Sequence, residues 1–403
     1  MIWSLALLLS CGGEPAEAPD EAVVVDALPV VELRLPEKEA TSPLAIPSTS
    51  VLRGASNVLR KAVSEHGRDA ENPWAISHAM LAFGPKVQLS TGGSAVDHVF
   101  ANYAEVVDVG GEKAVRFPER RGDSLVEPHA ELLLKAMTEM GVDPQHEVTV
   151  EGQPFKVADL YRGSLHRAWV DENTTSLGDW NNTPWSLQAL ATWGPEELAW
   201  TAADGHAMTL DDYTHAVSSR LVLENRPLRK SMSRNTRINK RGQGIFRYTC
   251  GGAHLMQGAA YAVGRGYGTP EDRELVVGEI PVLFWRFRQE LVLVDDAIKS
   301  QPQYTSVLLI QRLKFLGHLL ETLHKAAAME LFVATDQQKV DLGLMLEQLV
   351  VTIDAIHKLG LFDKMPELAK DESTRQMYLD LIGDSAHALR AITLATGEGT
   401  VRF

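Results

Sequence analysis

From about residue 50 to the end, apolar residues recur at three- and four-residue spacing, the period of helices with one buried face. Residues 307–328 read VLLIQRLKFLGHLLETLHKAAA, with Leu309, Leu313, Leu316, Leu320, Leu323 and Ala327 on one side. Residues 279–299, 336–358 and 374–396 carry comparable patterns and predict helices of similar length. Asn72-Pro73-Trp74 and Thr183-Pro184-Trp185 each set a capping residue before a proline, which predicts two helix openings. Strict alternation is rare and local. Val148-Thr149-Val150 and Phe155-Lys156-Val157 flank Glu151-Gly152 as a short hairpin running into a helix. Ala199-Trp200-Thr201 and Met208-Thr209-Leu210 repeat that arrangement around Asp204-Gly205, and a looser third hairpin surrounds Gly110-Gly111.

A second repeat concerns histidine. Ser77-His78-Ala79-Met80, Ala253-His254-Leu255-Met256, Gly317-His318-Leu319-Leu320 and Ala386-His387-Ala388-Leu389 share one form. Each is a small residue, a histidine, an apolar residue and then Met or Leu. Pro128-His129-Ala130-Glu131 is a weaker member, and Gln188-Ala189-Leu190 fills a sixth slot without histidine. The anchors 78, 129, 189, 254, 318 and 387 are 51, 60, 65, 64 and 69 residues apart. Each interval holds one two-helix hairpin with its loops, so the pattern predicts six hairpins. This mainly α chain, with short β-hairpin excursions, resembles an (α/α)6 toroid, in which six inner helices surround a funnel and six outer ones sheath it. The small residue beside each histidine is expected to let inner helices approach closely.

At 100° per residue, Cys250, His254, Gln257, Tyr261 and Arg265 form one polar stripe. Gln311, Lys314, His318, Glu321 and Lys325 form a second, and Asp380, Asp384, His387 and Arg390 a third. A solvated face would be dominated by Glu and Lys, whereas Cys, His, Gln and Tyr point to an inner cavity. Imidazole exchanges protons near neutrality, and a carboxylate one turn away can fix its tautomer. His254, His318 and His387 are therefore the acid–base candidates, with Glu321 and Asp384 expected to orient them. His78, Cys250, Gln257 and Tyr261 are candidate ligand contacts, and Arg247 or Arg265 the candidate anion contacts. The toroid resemblance implies proton transfer on sugar rings, as in polysaccharide lyases, glycoside hydrolases and sugar epimerases; it is a likeness of fold, not of motif. A non-catalytic binding or assembly module would use the same funnel, or the outer helices, as an interaction surface. No metal or cofactor is expected, although Glu321-x-x-His324 and Asp384-x-x-His387, with Glu290 and Asp354 upstream, keep a di-metal alternative open. Gly242-x-Gly244 follows no strand and lacks a Gly-Lys-Ser/Thr ending, so a phosphate loop is excluded.

Composition changes the picture mainly at the N-terminus. The 403 residues carry 45% hydrophobic and 23% charged side chains, a globular composition. Net charge is −14, which argues against a general nucleic-acid binder. Against that background Arg226, Arg229, Lys230, Arg234, Arg237, Lys240, Arg241 and Arg247 follow one another with no acid between, a segment suited to an acidic polysaccharide or other polyanion. Residues 1–11 read MIWSLALLLSC, an apolar run like a secretory signal. Leu8-Leu9-Ser10-Cys11 resembles the lipobox of bacterial lipoproteins, which implies that residues 1–10 are removed and that Cys11 is acylated. Residues 11–48, with six prolines and eight acids, read as an extended tether, and residues 49–403 as one helical domain. The expected address is the bacterial cell envelope, on a bilayer held through Cys11.

Overall fold

Helix caps and tight turns set the element boundaries in the computed structural model, which describes residues 33, 35–36, 38–169, 177–195, 197–203, 205–238 and 250–403. After β1 (Glu39–Ala40), α1 (Ser50–His66) opens on Thr49, whose hydroxyl accepts the Leu52 N–H. α2 (Pro73–Phe83) opens as the sequence predicts, with Asn72 accepting the Ala75 N–H and Pro73 first in the helix. α3 (Ala95–Tyr103) leads to the antiparallel pair β2 (Glu105–Val109) and β3 (Glu112–Arg116). Their turn needs two left-handed residues and has them in Gly110 and Gly111, at φ 61° and 83°. A minimal pair, β4 (Arg120–Arg121) and β5 (Ser124–Leu125), precedes α4 (Leu132–Met140). β6 (Glu147–Val150) and β7 (Gln153–Lys156) form the expected hairpin into α5 (Val157–Arg167), followed by α6 (Leu177–Trp193). β8 (Ala199–Thr201) and β9 (Ala207–Thr209) form the next hairpin, feeding α7 (Leu210–Ser233). Then come α8 (Gly251–Arg265), α9 (Pro270–Ser300), α10 (Thr305–Ala328) and α11 (Asp336–Lys358). The short α12 (Met365–Leu368), the long α13 (Arg375–Ala395) and β10 (Val401–Arg402) finish the chain.

The ring closes through alternate helices. α2 packs on α4, α4 on α6, α6 on α8, α8 on α10, α10 on α13, and α13 back on α2. Five of the six sequence anchors lie on these helices, and His129 immediately precedes α4. Outside them α7 packs on α9, α9 on α11 and α11 on α1, a sheath around most of the ring. The remaining arc is covered by the shorter α3 and α5 with the hairpins at their ends; α3 leans on α2 and β6, and α5 on α6 and β3. α10 is enclosed on every side, buried continuously from Leu308 to Ala328, so its polar stripe is interior.

Close approach falls where side chains are smallest. A Cβ on Gly317 would lie 2.9 Å from the Ala388 nitrogen, so the residue beside His318 sets the α10–α13 spacing. Gly258 meets Pro184 in the same way, at 2.6 Å from its Cα. This contact bears on one departure from the sequence reading. Thr183-Pro184-Trp185 does not open a helix; Pro184 lies inside α6, where it faces the α8 backbone. A second departure is the tether boundary. β1 pairs with β10, and Ser42 is buried with its hydroxyl 2.9 Å from His324 Nδ1, so the packed body begins well before residue 49.

Candidate functional site

The N-terminal and middle turns of the inner helices enclose a cavity of about 170 Å³. One water needs about 10–15 Å³ of such space, so this volume admits a small organic ligand or roughly a dozen waters. Its wall takes Trp74 and His78 from α2, Trp185 from α6, Cys250 and His254 from α8, Lys314 and His318 from α10, and Asp380, Asp384 and His387 from α13, with His129 completing the circuit. The imidazoles run as a chain. Ring centroids are 5.4 Å apart for His78–His387, 3.8 Å for His387–His318, 5.0 Å for His318–His254 and 5.7 Å for His254–His129. The three polar stripes thus converge at their histidines.

Hydrogen bonding decides which nitrogens face outward. His78 Nδ1 donates to the Trp74 carbonyl at 2.8 Å, leaving Nε2 as an acceptor. His387 Nδ1 lies 2.6 Å from Glu321 Oε2, so it is Glu321, on the neighbouring helix, and not Asp384 that orients this ring. The Nδ1 atoms of His254 and His318 are buried without a hydrogen-bond partner. Burial, reinforced by neighbouring histidines, holds His78, His254 and His318 well below the ordinary imidazole value. His387 is also lowered by burial, with Glu321 opposing the shift. These rings are neutral at pH 7.

Beneath the cavity lies a charged core that the sequence reading missed. Burial would raise the Glu321 carboxyl, but Lys325 and His387 hold it well below the usual carboxylate range. Lys325 pairs with Glu321 and, at 2.7 Å, with Glu139. Glu139 is reached by Lys135 at 2.9 Å and by Gln188 at 3.0 Å, and despite burial these lysines hold its carboxyl at about 2. In sequence, Lys135 and Glu139 resemble an ordinary solvated i, i+4 pair. The signal against that reading is the unbroken run Leu132-Leu133-Leu134 just before them, which leaves no polar face for solvent. Trp74 and Trp185 were read only as helix openings, yet each packs its indole 4.2 Å from a cavity histidine, His78 and His254 respectively.

The other sequence candidates divide by depth. Cys250 is a buried thiol at the cavity wall. Gln257 sits deeper, donating to Thr322 and accepting from Lys325, and Tyr261 packs beside Lys325. Arg265 bonds the Ala191 carbonyl near the far end of α6 and is no part of the cavity. Arg247 and Cys11 lie outside the described residues, as do Lys240 and Arg241. Of the described basic segment, Arg229 pairs with Glu279 and Arg237 with Asp296, so acids of α9 neutralise part of the run. The proposed di-metal residues scatter: His324 bonds Ser42, Glu290 pairs with Arg286, and Asp354 is exposed beside Lys358. A different set, His318, Glu321 and His387, brings three potential donor atoms within 4.8 Å of one another. Among the described residues, no helix is long and apolar enough to cross a membrane. No protein-family model matches the chain, and no curated protein or solved structure matches it.

Proposed function

We propose that this is a lipid-anchored bacterial envelope protein whose ring cavity binds a small polar, carbohydrate-like ligand and exchanges protons with it. One observation carries the reading: four buried, uncharged imidazoles from four inner helices meet at a single cavity that also presents two indoles. Indole faces suit the apolar C–H faces of a sugar ring, and neutral imidazoles accept or pass protons to hydroxyls. His254 is the proton-exchanging group, since its buried Nδ1 has no protein partner and its ring lines the cavity. Glu321 and His387 act as a pair that stabilises charge developing on the ligand. Lys314, bonded to Asp380 at 3.0 Å, supplies a fixed cation at the wall. The apolar run ending in Leu8-Leu9-Ser10-Cys11 supports the anchor.

Saturation-transfer NMR with a panel of neutral and acidic monosaccharides and their methyl glycosides tests the cavity. Binding should appear in the wild type and fall at least tenfold in His254→Ala, with the thermal midpoint nearly unchanged. A large loss of stability with binding intact would make His254 a structural residue. Binding without turnover of any bound sugar would favour the binding-module reading. The anchor is tested separately by labelling with a fatty-acid analogue, which Cys11→Ser should abolish.

A further inference from the structure

We propose that His318, Glu321 and His387 form a mononuclear site for a divalent transition metal of the zinc class, with a coordination position open to the cavity. This deepens the functional reading above and rests on it, since it takes the same cavity as the working centre. Two imidazoles and one carboxylate are a donor set suited to such ions, and their donor atoms already lie within 4.8 Å of one another. Bonds of about 2.0–2.2 Å at tetrahedral angles set donors about 3.3–3.5 Å apart, so the widest donor pair would close by about 1.5 Å and the hydrogen-bonded Glu321–His387 pair, now 2.6 Å apart, would open by about 1 Å.

Three further observations point to an occupant. His318 is 4% exposed, lines the cavity and leaves Nδ1 without a hydrogen-bond partner. Glu321 Oε2 is 2.6 Å from His387 Nδ1, while its other oxygen is held by Lys325. That is the outer support a coordinating carboxylate requires, and a metal inserted between Oε2 and Nδ1 would leave the His387 proton on Nε2. α10 and α13 carry the three ligands, and their spacing is fixed by the close contact at Gly317. His254, its ring 5.0 Å from that of His318, stays outside the ligand set and can exchange protons with a metal-bound water. The pattern was legible as His318-x-x-Glu321, a turn of helix earlier than the Glu321-x-x-His324 spacing.

The full chain, stripped with a chelator, is titrated with Zn²⁺ and Co²⁺ and read by metal content and visible absorption. One ion per chain is expected, with the strong visible bands of four-coordinate Co²⁺. His318→Ala and His387→Ala should each weaken binding at least 100-fold, Glu321→Gln by about 10–100-fold, and the exposed His357→Ala not at all. Since a buried variant can fail to fold, Cu²⁺ bound to the wild type is also read by electron paramagnetic resonance, where two coupled nitrogens are expected. Absence of stoichiometric uptake, uptake without nitrogen coupling, or folded His318→Ala with unchanged affinity would overturn the site. Sugar binding that persists in a chain taking up no metal would leave the cavity reading standing alone. Metal uptake without sugar binding would do the reverse.

Discussion

At the scale of single residues, the cavity stakes stability on uncharged imidazoles. An unfolded histidine protonates below about pH 6.5, whereas His78, His254 and His318 stay neutral, and His324, buried against Ser42, is held at about 4. Their folded values are depressed, so the stability they contribute is complete above pH 6.5 and is lost as pH falls. Four such groups cost roughly 3 kcal/mol together by pH 6. Glu127 works from the other side. It accepts the Glu131 and Leu133 N–H groups at the start of α4, yet burial, reinforced by Glu131, pushes its carboxyl up to about 8. A raised carboxyl contributes fully below about 4.5 and loses its contribution as pH rises through 8. Urea unfolding from pH 5 to 9 should therefore give a stability maximum near pH 6.5–7. Glu127→Gln should flatten the alkaline limb and steepen the acid limb by about one group, because the Glu127 contribution is already falling above pH 4.5. A monotonic profile, or an alkaline limb that survives Glu127→Gln, would contradict these assignments. The histidines were legible in the sequence because they repeat with hairpin spacing. Lys135, Glu139 and Glu127 were not, because an acid or a lysine gives the same letter whether solvated or enclosed. Which of them are enclosed depends on α4 being an inner helix, a fact of packing.

Among the elements, glycine marks the difference between the inner α10 and the outer α11. Gly317 in α10 faces the backbone of α13, while Gly343 in α11 meets nothing within 4 Å. Alanine gains about 1 kcal/mol over glycine in a helix interior, so Gly343→Ala should stabilise by about that much. Gly317→Ala gains the same propensity but forces a Cβ against the Ala388 nitrogen, and overpacking of this kind costs about 1–3 kcal/mol. Its net effect should be a loss of up to about 2 kcal/mol, along with weaker ligand or metal binding, because His318 and His387 move apart. Chemical unfolding of the two variants side by side checks the opposite signs; stabilisation by both would mean that α10 and α13 are not in close contact. Helix existence and most boundaries followed from period and caps, as at Asn72-Pro73. Pro184 misled because a proline after a capping residue reads as a first turn. Here Pro184 lies instead inside α6, where Gly258 brings the α8 backbone against its Cα and carbonyl oxygen. Local chemistry was the same at both sites, and the neighbour decided.

Over the whole molecule, the two ends of the described chain fasten each other. Glu39 and Ala40 pair with Arg402 and Val401, and the Phe403 N–H donates to the Lys38 carbonyl at 3.0 Å. The Ile46 N–H donates to the Ala395 carbonyl at 2.8 Å, and Arg402 reaches the Met140 carbonyl at the end of α4. Residues 38–48 thus tie α13 to α4 beyond the C-terminal ends of the inner helices, and Ser42 closes over His324 on α10. Proline and acid content made this stretch read as an extension of the tether, since a strand of two residues leaves no periodicity to detect. Its partner is 363 residues away for Glu39 and Arg402. No local signal reports a contact of that separation. A chain beginning at residue 49 should therefore melt roughly 3–8 °C below one beginning at residue 38, a loss of a few kcal/mol. In the shorter chain His324 loses its Ser42 partner and gains solvent, so the acid limb of the stability profile should become shallower by about one group. Equal melting temperatures, with the same acid limb in both chains, would return residues 38–48 to the tether and leave the ring fastened by its helices alone.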